Sequence, residues 1–275
     1  MNLRKLLTVS ALAAALGAWA AAPTPLSVEA GAHHPVLSPD GATVLYSTID
    51  HQGLKALDRA TGSVTVIDAD AAAGFAPVFS ADGRTVIYRT ASTVDGLLYR
   101  DVRSFSLADH RATRLAAPSR QSVDLNAMAA NTAYAMANYR TIRVVRNGAA
   151  QELSPLADAH SYLWASLSPD GSRIAFVEPF SGVYVANADG SDVRRVLPKG
   201  DYVSWAGANT LVAVVSHDDG YQVTDSRLVS VNTATGITTF LTDDTMMVGE
   251  ASAAPCGVVV FSDINGQMYI LNLND

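Results

Sequence analysis

Short runs of β-branched, aromatic and other apolar residues recur along the chain, each bounded by Gly, Pro, Asp, Asn or Ser. The clearest are Thr43-Val44-Leu45-Tyr46-Ser47, Thr85-Val86-Ile87-Tyr88, Arg173-Ile174-Ala175-Phe176-Val177, Leu211-Val212-Ala213-Val214-Val215 and Val258-Val259-Val260-Phe261. Runs of this length and residue type, closed off by turn formers, predict β-strands. The first three follow a shared tetrapeptide: Ser38-Pro39-Asp40-Gly41, Ser80-Ala81-Asp82-Gly83 and Ser168-Pro169-Asp170-Gly171. Pro presets the backbone for a turn, Asp bonds nearby amides and Gly accepts a positive φ, so this segment joins two strands with little loop.

The glycines of these turns stand 42 and then 88 residues apart, and 88 is two periods of 44. A degenerate copy is therefore expected near Ala130-Asn131, with Leu125-Asn126-Ala127-Met128 and Ala133-Tyr134-Ala135-Met136 as its flanking strands. A second turn signal follows each strand run, in Arg59-Ala60-Thr61-Gly62, Arg146-Asn147-Gly148, Asn187-Ala188-Asp189-Gly190 and Thr233-Ala234-Thr235-Gly236. Two hairpins per period of about 43 residues make four short antiparallel strands, and units of that size stack radially. The expected fold is all-β, a six-bladed β-propeller of four-stranded antiparallel blades. The last copy ends at Asp275 without a fourth strand, and Thr24-Pro25-Leu26-Ser27-Val28 is a spare strand at the other end that completes it and closes the ring.

The Ser-Pro-Asp-Gly turns, the segment Val183-Tyr184-Val185-Ala186-Asn187-Ala188-Asp189-Gly190-Ser191 and Arg195-Val196-Leu197 resemble TolB-type propeller repeats over roughly residues 24 to 275. TolB itself is a periplasmic translocation component that carries an extra α/β domain and binds the lipoprotein Pal. The resemblance implies the propeller and an exported binding module, with no room for that extra domain, and does not by itself imply a role in the Tol system. Similar repeats occur in propellers attached to peptidases and in a pectin-fragment lyase, so fold alone does not fix activity.

The N-terminus changes the picture of where the protein works. Met1-Asn2-Leu3-Arg4-Lys5 is a short positive region, and Leu6 to Ala20 is apolar and ends in small residues. Residues 1–20 read as a secretory signal peptide, leaving 21–275 as a single propeller domain, periplasmic or secreted and a monomer. The whole chain of 275 residues has a formal charge of -7. Losing Arg4 and Lys5 makes it more acidic, and no Lys/Arg run remains to neutralise phosphates, which argues against nucleic acid and anionic membranes. After cleavage no segment is expected to insert in a membrane. Cys256 is the one cysteine, so no intramolecular disulfide forms, and no basic neighbour in sequence activates it.

Candidate chemistry follows from the repeat register. The loop entering each innermost strand and the hairpin after the next strand emerge on one rim of the channel. This places His33, His34 and His160 in entry loops, and His51 and His217 in hairpins of the same rim; His110 falls on the opposite face. The same rim receives Asp50, Phe75, Tyr139, Tyr162, Phe180, Asp201, Tyr202, Asp218, Asp219, Tyr221 and Glu250. Aromatic rings beside carboxylates suit recognition of an envelope protein or a glycan. The segment from His217 to Asp225 is the longest polar rim loop. Asp40, Asp82 and Asp170 recur because the turn needs them, and Asn187 to Asp192 is a hairpin rather than a calcium loop. Trp164 and Trp205 are expected between blades. No Gly-x-Ser-x-Gly, His-Glu-x-x-His, Cys-x-x-Cys or phosphate-binding glycine loop is present. The sequence therefore favours a noncatalytic binding module without a cofactor. The alternative is a metal-assisted lyase or hydrolase acting on polysaccharide fragments, which would need three of the rim histidines to share one ion.

Overall fold

The computed structural model describes residues 22–129, 132–157 and 161–274; the signal peptide expected over 1–20 lies outside them, as does His160. The described residues form six antiparallel sheets arranged as a β-propeller. Blade 1 is His33–Leu37, Thr43–Ser47, Leu54–Asp58 and Val64–Asp68; blade 2 is Val78–Phe79, Thr85–Val94, Leu97–Ser106 and Arg111–Ser119. Blade 4 is Leu163–Leu167, Arg173–Glu178, Gly182–Asn187 and Arg194–Leu197; blade 5 is Asp201–Trp205, Thr210–Asp218, Val223–Asn232 and Thr238–Phe240. Blade 6 is Val248–Ala253, Val258–Asp263 and Met268–Asn272, and Thr24–Pro25 supplies its outer strand. Thr24 pairs with Ile270 and Pro25 with Tyr269, and the Leu26 amide donates to the Met268 carbonyl at 2.9 Å, so the N-terminal strand closes the ring as its position predicts.

The tight turns hold themselves together. Ser168 Oγ donates to Asp170 Oδ1 at 2.6 Å and accepts from the Arg173 amide at 2.9 Å, while Asp170 Oδ1 also accepts from the Ser172 amide. Ser38 with Asp40 and Ser80 with Asp82 repeat this pattern. Each turn thus satisfies its own polar groups and needs no partner from outside, which confirms the structural role of these aspartates.

Blade 3 departs from the plan. Among the described residues it has three strands, Tyr134–Asn138, Thr141–Arg146 and Ala149–Leu153, and Leu125–Met128, expected as its innermost strand, is a one-turn helix. Asp124 caps that helix by accepting from the Asn126 amide. Leu, Asn, Ala and Met include no β-branched residue, and a capping Asp with good helix formers behind it favours the helical turn.

Six clusters of buried apolar side chains fill the wedges between neighbouring blades. Between blades 4 and 5 the cluster includes Val177, Val183, Val203, Trp205 and Leu211, and Trp205 Nε1 donates to the Ser166 carbonyl at 3.2 Å. Trp205 is therefore the inter-blade core residue it was expected to be. The wedge between blades 2 and 3 has the smallest buried set, Ile87, Val102, Leu125 and Ala129, because a helical turn covers less of the neighbouring sheet than a strand does.

Candidate functional site

One position in each innermost strand builds the channel mouth. Counting four residues back from the residue that opens the inner turn gives His34, Ala76, Trp164, Tyr202 and Glu250 in blades 1, 2, 4, 5 and 6. A β-bulge interrupts the inner strand's pairing at this level in blades 1, 4, 5 and 6. His34, Ala76, Trp164 and Tyr202 adopt φ of 57°, 48°, 44° and 54°. Left-handed backbone is costly for non-glycine residues and concentrates where a side chain must be aimed. Here it turns successive rings toward the mouth instead of into the sheet.

These residues form a connected band. His34 Nδ1 meets Glu250 Oε1 at 2.9 Å, the His34 amide donates to Glu250 Oε2 at 2.7 Å, and His34 Nε2 lies 3.0 Å from the Ile49 carbonyl. Both ring nitrogens face acceptors, an arrangement that the protonated imidazole satisfies completely. Burial opposes the charge on His34, but Glu250 and the Ile49 carbonyl outweigh it and raise the His34 pKa. Burial likewise opposes ionisation of Glu250, yet His34, with a smaller contribution from His33, holds its pKa down. His51 stacks on His34 with ring centroids 3.7 Å apart, and burial together with the His34 charge lowers its pKa. Phe75 meets His51 edge-on at 5.0 Å, Tyr202 Oη lies 3.5 Å from Glu250 Oε1, and Trp164 lies 5.1 Å from the Tyr202 ring. Burial pushes Tyr202 up to about 12, with Glu250 and Asp201 acting in the same direction. Beside it, burial raises the Asp201 carboxyl against the pull of Lys199.

The structure thus brings together His33, His34, His51, Asp201, Tyr202 and Glu250. It separates the hairpin residues from them. His217 pairs with Asp225 at 3.3 Å, Asp218 with Lys199 at 3.3 Å, and Asp219 accepts from the amides of Tyr221 and Gln222. Two of these carboxylates therefore shape a turn, and Tyr221 at its tip is 98% exposed. Tyr162 is a correction: it is 1% exposed, its hydroxyl bridges the amide and carbonyl of Leu156, and its ring meets Phe176 edge-on. It is a core side chain and offers nothing to a ligand. Trp164, expected between blades, is instead 37% exposed at the mouth. Among the described residues no three His, Cys, Asp or Glu side chains are arranged to hold one metal ion, and the His34 nitrogens are already committed.

Two features escaped the sequence. The first is that Ile49, Leu97 and Ile264 join Tyr139, Phe180 and Tyr221, which the register already places on this rim, to give every blade an exposed apolar residue at its rim hairpin. The second is Arg89, which occupies the level that Ser47, Val177, Val214 and Ser262 fill in the other blades, all of them buried. Aligning the copies on their turns would have shown an arginine at an otherwise buried position.

No family model matches the sequence, and no curated protein matches it. Among solved structures the chain is similar to an oligogalacturonate lyase from Vibrio parahaemolyticus, at 15% identity over 90% of this chain and 79% of that one, with a TM-score of 0.48. It is similar to TolB from Acinetobacter baumannii at 15% identity over 88% of this chain and 54% of that one, with a TM-score of 0.34, so it spans about half that protein's length. The β-propeller domain of Myceliophteria thermophila Cps50 (Swd1) is similar at 9% identity over 91% of this chain and 99% of that one, with a TM-score of 0.51. Likeness at these identities is a likeness of fold, shared by proteins with unrelated tasks. The chain is a six-bladed β-propeller, TolB-like in the turns that define its repeat.

Proposed function

We propose that this protein is an exported, noncatalytic binding module that seats a protein partner on the rim bearing His34, Trp164, Tyr202 and Glu250. The observation that carries this reading is the ring of exposed apolar side chains at the six hairpin tips, one per blade, around a mouth lined by aromatic rings. Scattered exposed apolar residues are ordinary, but their collection on one face of a monomer marks a contact surface. On the opposite rim the described hairpins expose fewer large apolar residues, Val64 and Ile237, among turns that satisfy their own polar groups.

Charge narrows the partner. On the hairpins and entry loops of this rim, Asp50, Asp95, Asp218, Asp219, Asp243 and Asp244 face a smaller set of cations, Arg120, Arg140 and Lys199. A partner that presents aromatic or aliphatic anchors flanked by Lys or Arg complements both features. The reading of export rests on the charged and apolar N-terminus; among the described residues no helix is long and apolar enough to cross a membrane.

The test is affinity capture from a native envelope extract with the purified protein and with the Ile49→Ser, Tyr221→Ser, Ile264→Ser triple variant. The parent is expected to retain a partner that the variant loses while both melt at similar temperatures. Equal capture by the two baits would refute the assignment of this rim.

A further inference from the structure

We infer that the gap left by the missing inner strand of blade 3 is a binding site for a small carboxylate-bearing ligand with a flat apolar body. The gap is a cavity of about 830 Å³, a volume typical of small-molecule sites, lined from blades 1 to 5. Its walls include Arg89, Asn126, Asn138, Met136 and Trp164. The cavity shares Trp164 with the rim proposed to seat a partner, and its test uses the protein alone.

Arg89 gives the cavity its sign. Among the described residues its guanidinium forms no ion pair; it donates one long hydrogen bond, from Nη2 to the Val123 carbonyl at 3.4 Å, and its buried Nε finds no partner among them. Phe75 contributes a ring face 5.5 Å away, which neutralises nothing. Burial, with repulsion from Arg100, lowers the Arg89 pKa against the smaller pull of Asp124. Asp124 itself is committed to the Asn126 amide at 3.0 Å and to the Tyr134 hydroxyl at 2.6 Å. A second arginine, Arg143, also lines the cavity with a buried, unbonded Nε, although its Nη1 pairs with Glu152 at 3.2 Å. The two arginines of the walls outnumber Asp124, the one carboxylate lining the cavity with them, and a half-buried guanidinium without an ion pair is destabilising unless something anionic meets it.

The shape of the cation selects among anions. A guanidinium presents a planar fork that matches a carboxylate through two parallel bonds. Trp164, 37% exposed, offers a flat face to the same cavity, and Met136 and Val36 add apolar lining. A carboxylate on an aromatic or similarly flat body uses all three, whereas a bare phosphate uses Arg89 alone.

The experiment titrates the whole protein with benzoate, with its neutral counterpart benzamide and with inorganic phosphate at matched ionic strength. Tryptophan fluorescence and the melting temperature are read together. Benzoate is expected to give a saturable fluorescence change and to raise the melting temperature, while benzamide and phosphate give neither. Arg89→Gln should weaken benzoate binding at least about tenfold, as loss of a charged hydrogen-bonded pair does, while melting no lower than the parent when benzoate is absent. Arg89→Lys keeps the charge without the fork and should fall between the two. The inference is overturned if benzoate binds Arg89→Gln as well as the parent, if benzamide binds equally, if phosphate shows the Arg89 dependence and benzoate does not, or if benzoate fails to saturate by about 50 mM.

Discussion

The two rims of this ring solve the same backbone problem with different residues. On the rim of tight turns, positive φ is taken mostly by glycines such as Gly41 and Gly171, and the adjoining Ser and Asp side chains bond to the turn itself. On the other rim, glycines such as Gly53 and Gly220 share positive φ with His34, His51, Tyr139, Trp164 and Tyr202, whose side chains face the mouth or solvent. One rim spends its polar groups inward and is finished. The other accepts backbone strain to hold rings and charges outward, which is the arrangement of a surface that meets something.

The comparison breaks most sharply if function and stability are separated between rims. Ile49→Ser, Tyr221→Ser and Ile264→Ser together should cost at least about 2 kcal/mol of partner binding while leaving urea unfolding nearly unmoved, since exposed side chains contribute little to folding. Ser168→Ala, on the turn rim, should do the reverse. It removes the bonds to Asp170 and to the Arg173 amide from a buried hydroxyl and should lower unfolding free energy by about 1–2 kcal/mol with capture intact.

A pair of backbone substitutions sharpens the point with opposite signs. Gly171 has φ 70°, and a Cβ there would approach only Arg146 Cδ, at 3.9 Å. Gly171→Ala therefore pays backbone strain alone, about 1–2 kcal/mol in a denaturant melt. Ala76 sits at φ 48° on the mouth rim, so Ala76→Gly relieves the same strain and, after the added freedom of the unfolded chain, should stabilise by about 0.5 kcal/mol.

Acid separates the rims more gently. Asp170 is held down to about 2, first by the Ser168 hydroxyl and then by the Ser172 amide and hydroxyl. A depressed carboxylate contributes stability above its unfolded pKa of about 4 and loses it as pH falls toward the folded value. Urea melts between those values should fall more steeply for the parent than for Asp170→Asn. At the mouth, the raised His34 pKa means its contribution is complete below the ordinary imidazole value and lost as pH rises through the folded one; the lowered Glu250 pKa gives a contribution lost as pH falls through its own. NMR titration should find His34 protonated at a pH where His51 is neutral, and Glu250→Gln should remove that difference.

Much of the ring could be read from residue order because its determinants are local. Ser-Pro-Asp-Gly sets a turn wherever it stands, and the strands after it are β-branched. The inner strand of blade 3 was misread because Leu125 to Met128 is apolar without being β-branched, and Asp124 offers a helix cap that an apolar count ignores. At the site, the repeat register placed His33, His34, His51, Tyr202 and Glu250 on one rim, and the structure joins them. Register gives a residue's height along the strand and not the direction of its side chain. Tyr162 and Trp164 are two residues apart, yet one turns into the core and the other, at φ 44°, into the mouth. For Arg89, aligning the copies marks the unusual residue but not its exposure to a cavity, which depends on the helical turn that replaces the neighbouring strand.

The most direct test of the central claim places a photo-crosslinking amino acid in the whole protein in its native host, at Tyr221 or Ile49 on the mouth rim and at Ile237 on the turn rim. All three positions are well exposed, at 98%, 64% and 66%. The account predicts one common protein adduct from Tyr221 and Ile49 and none from Ile237. An adduct from Ile237 alone, or the same adduct at equal yield from both rims, would contradict it.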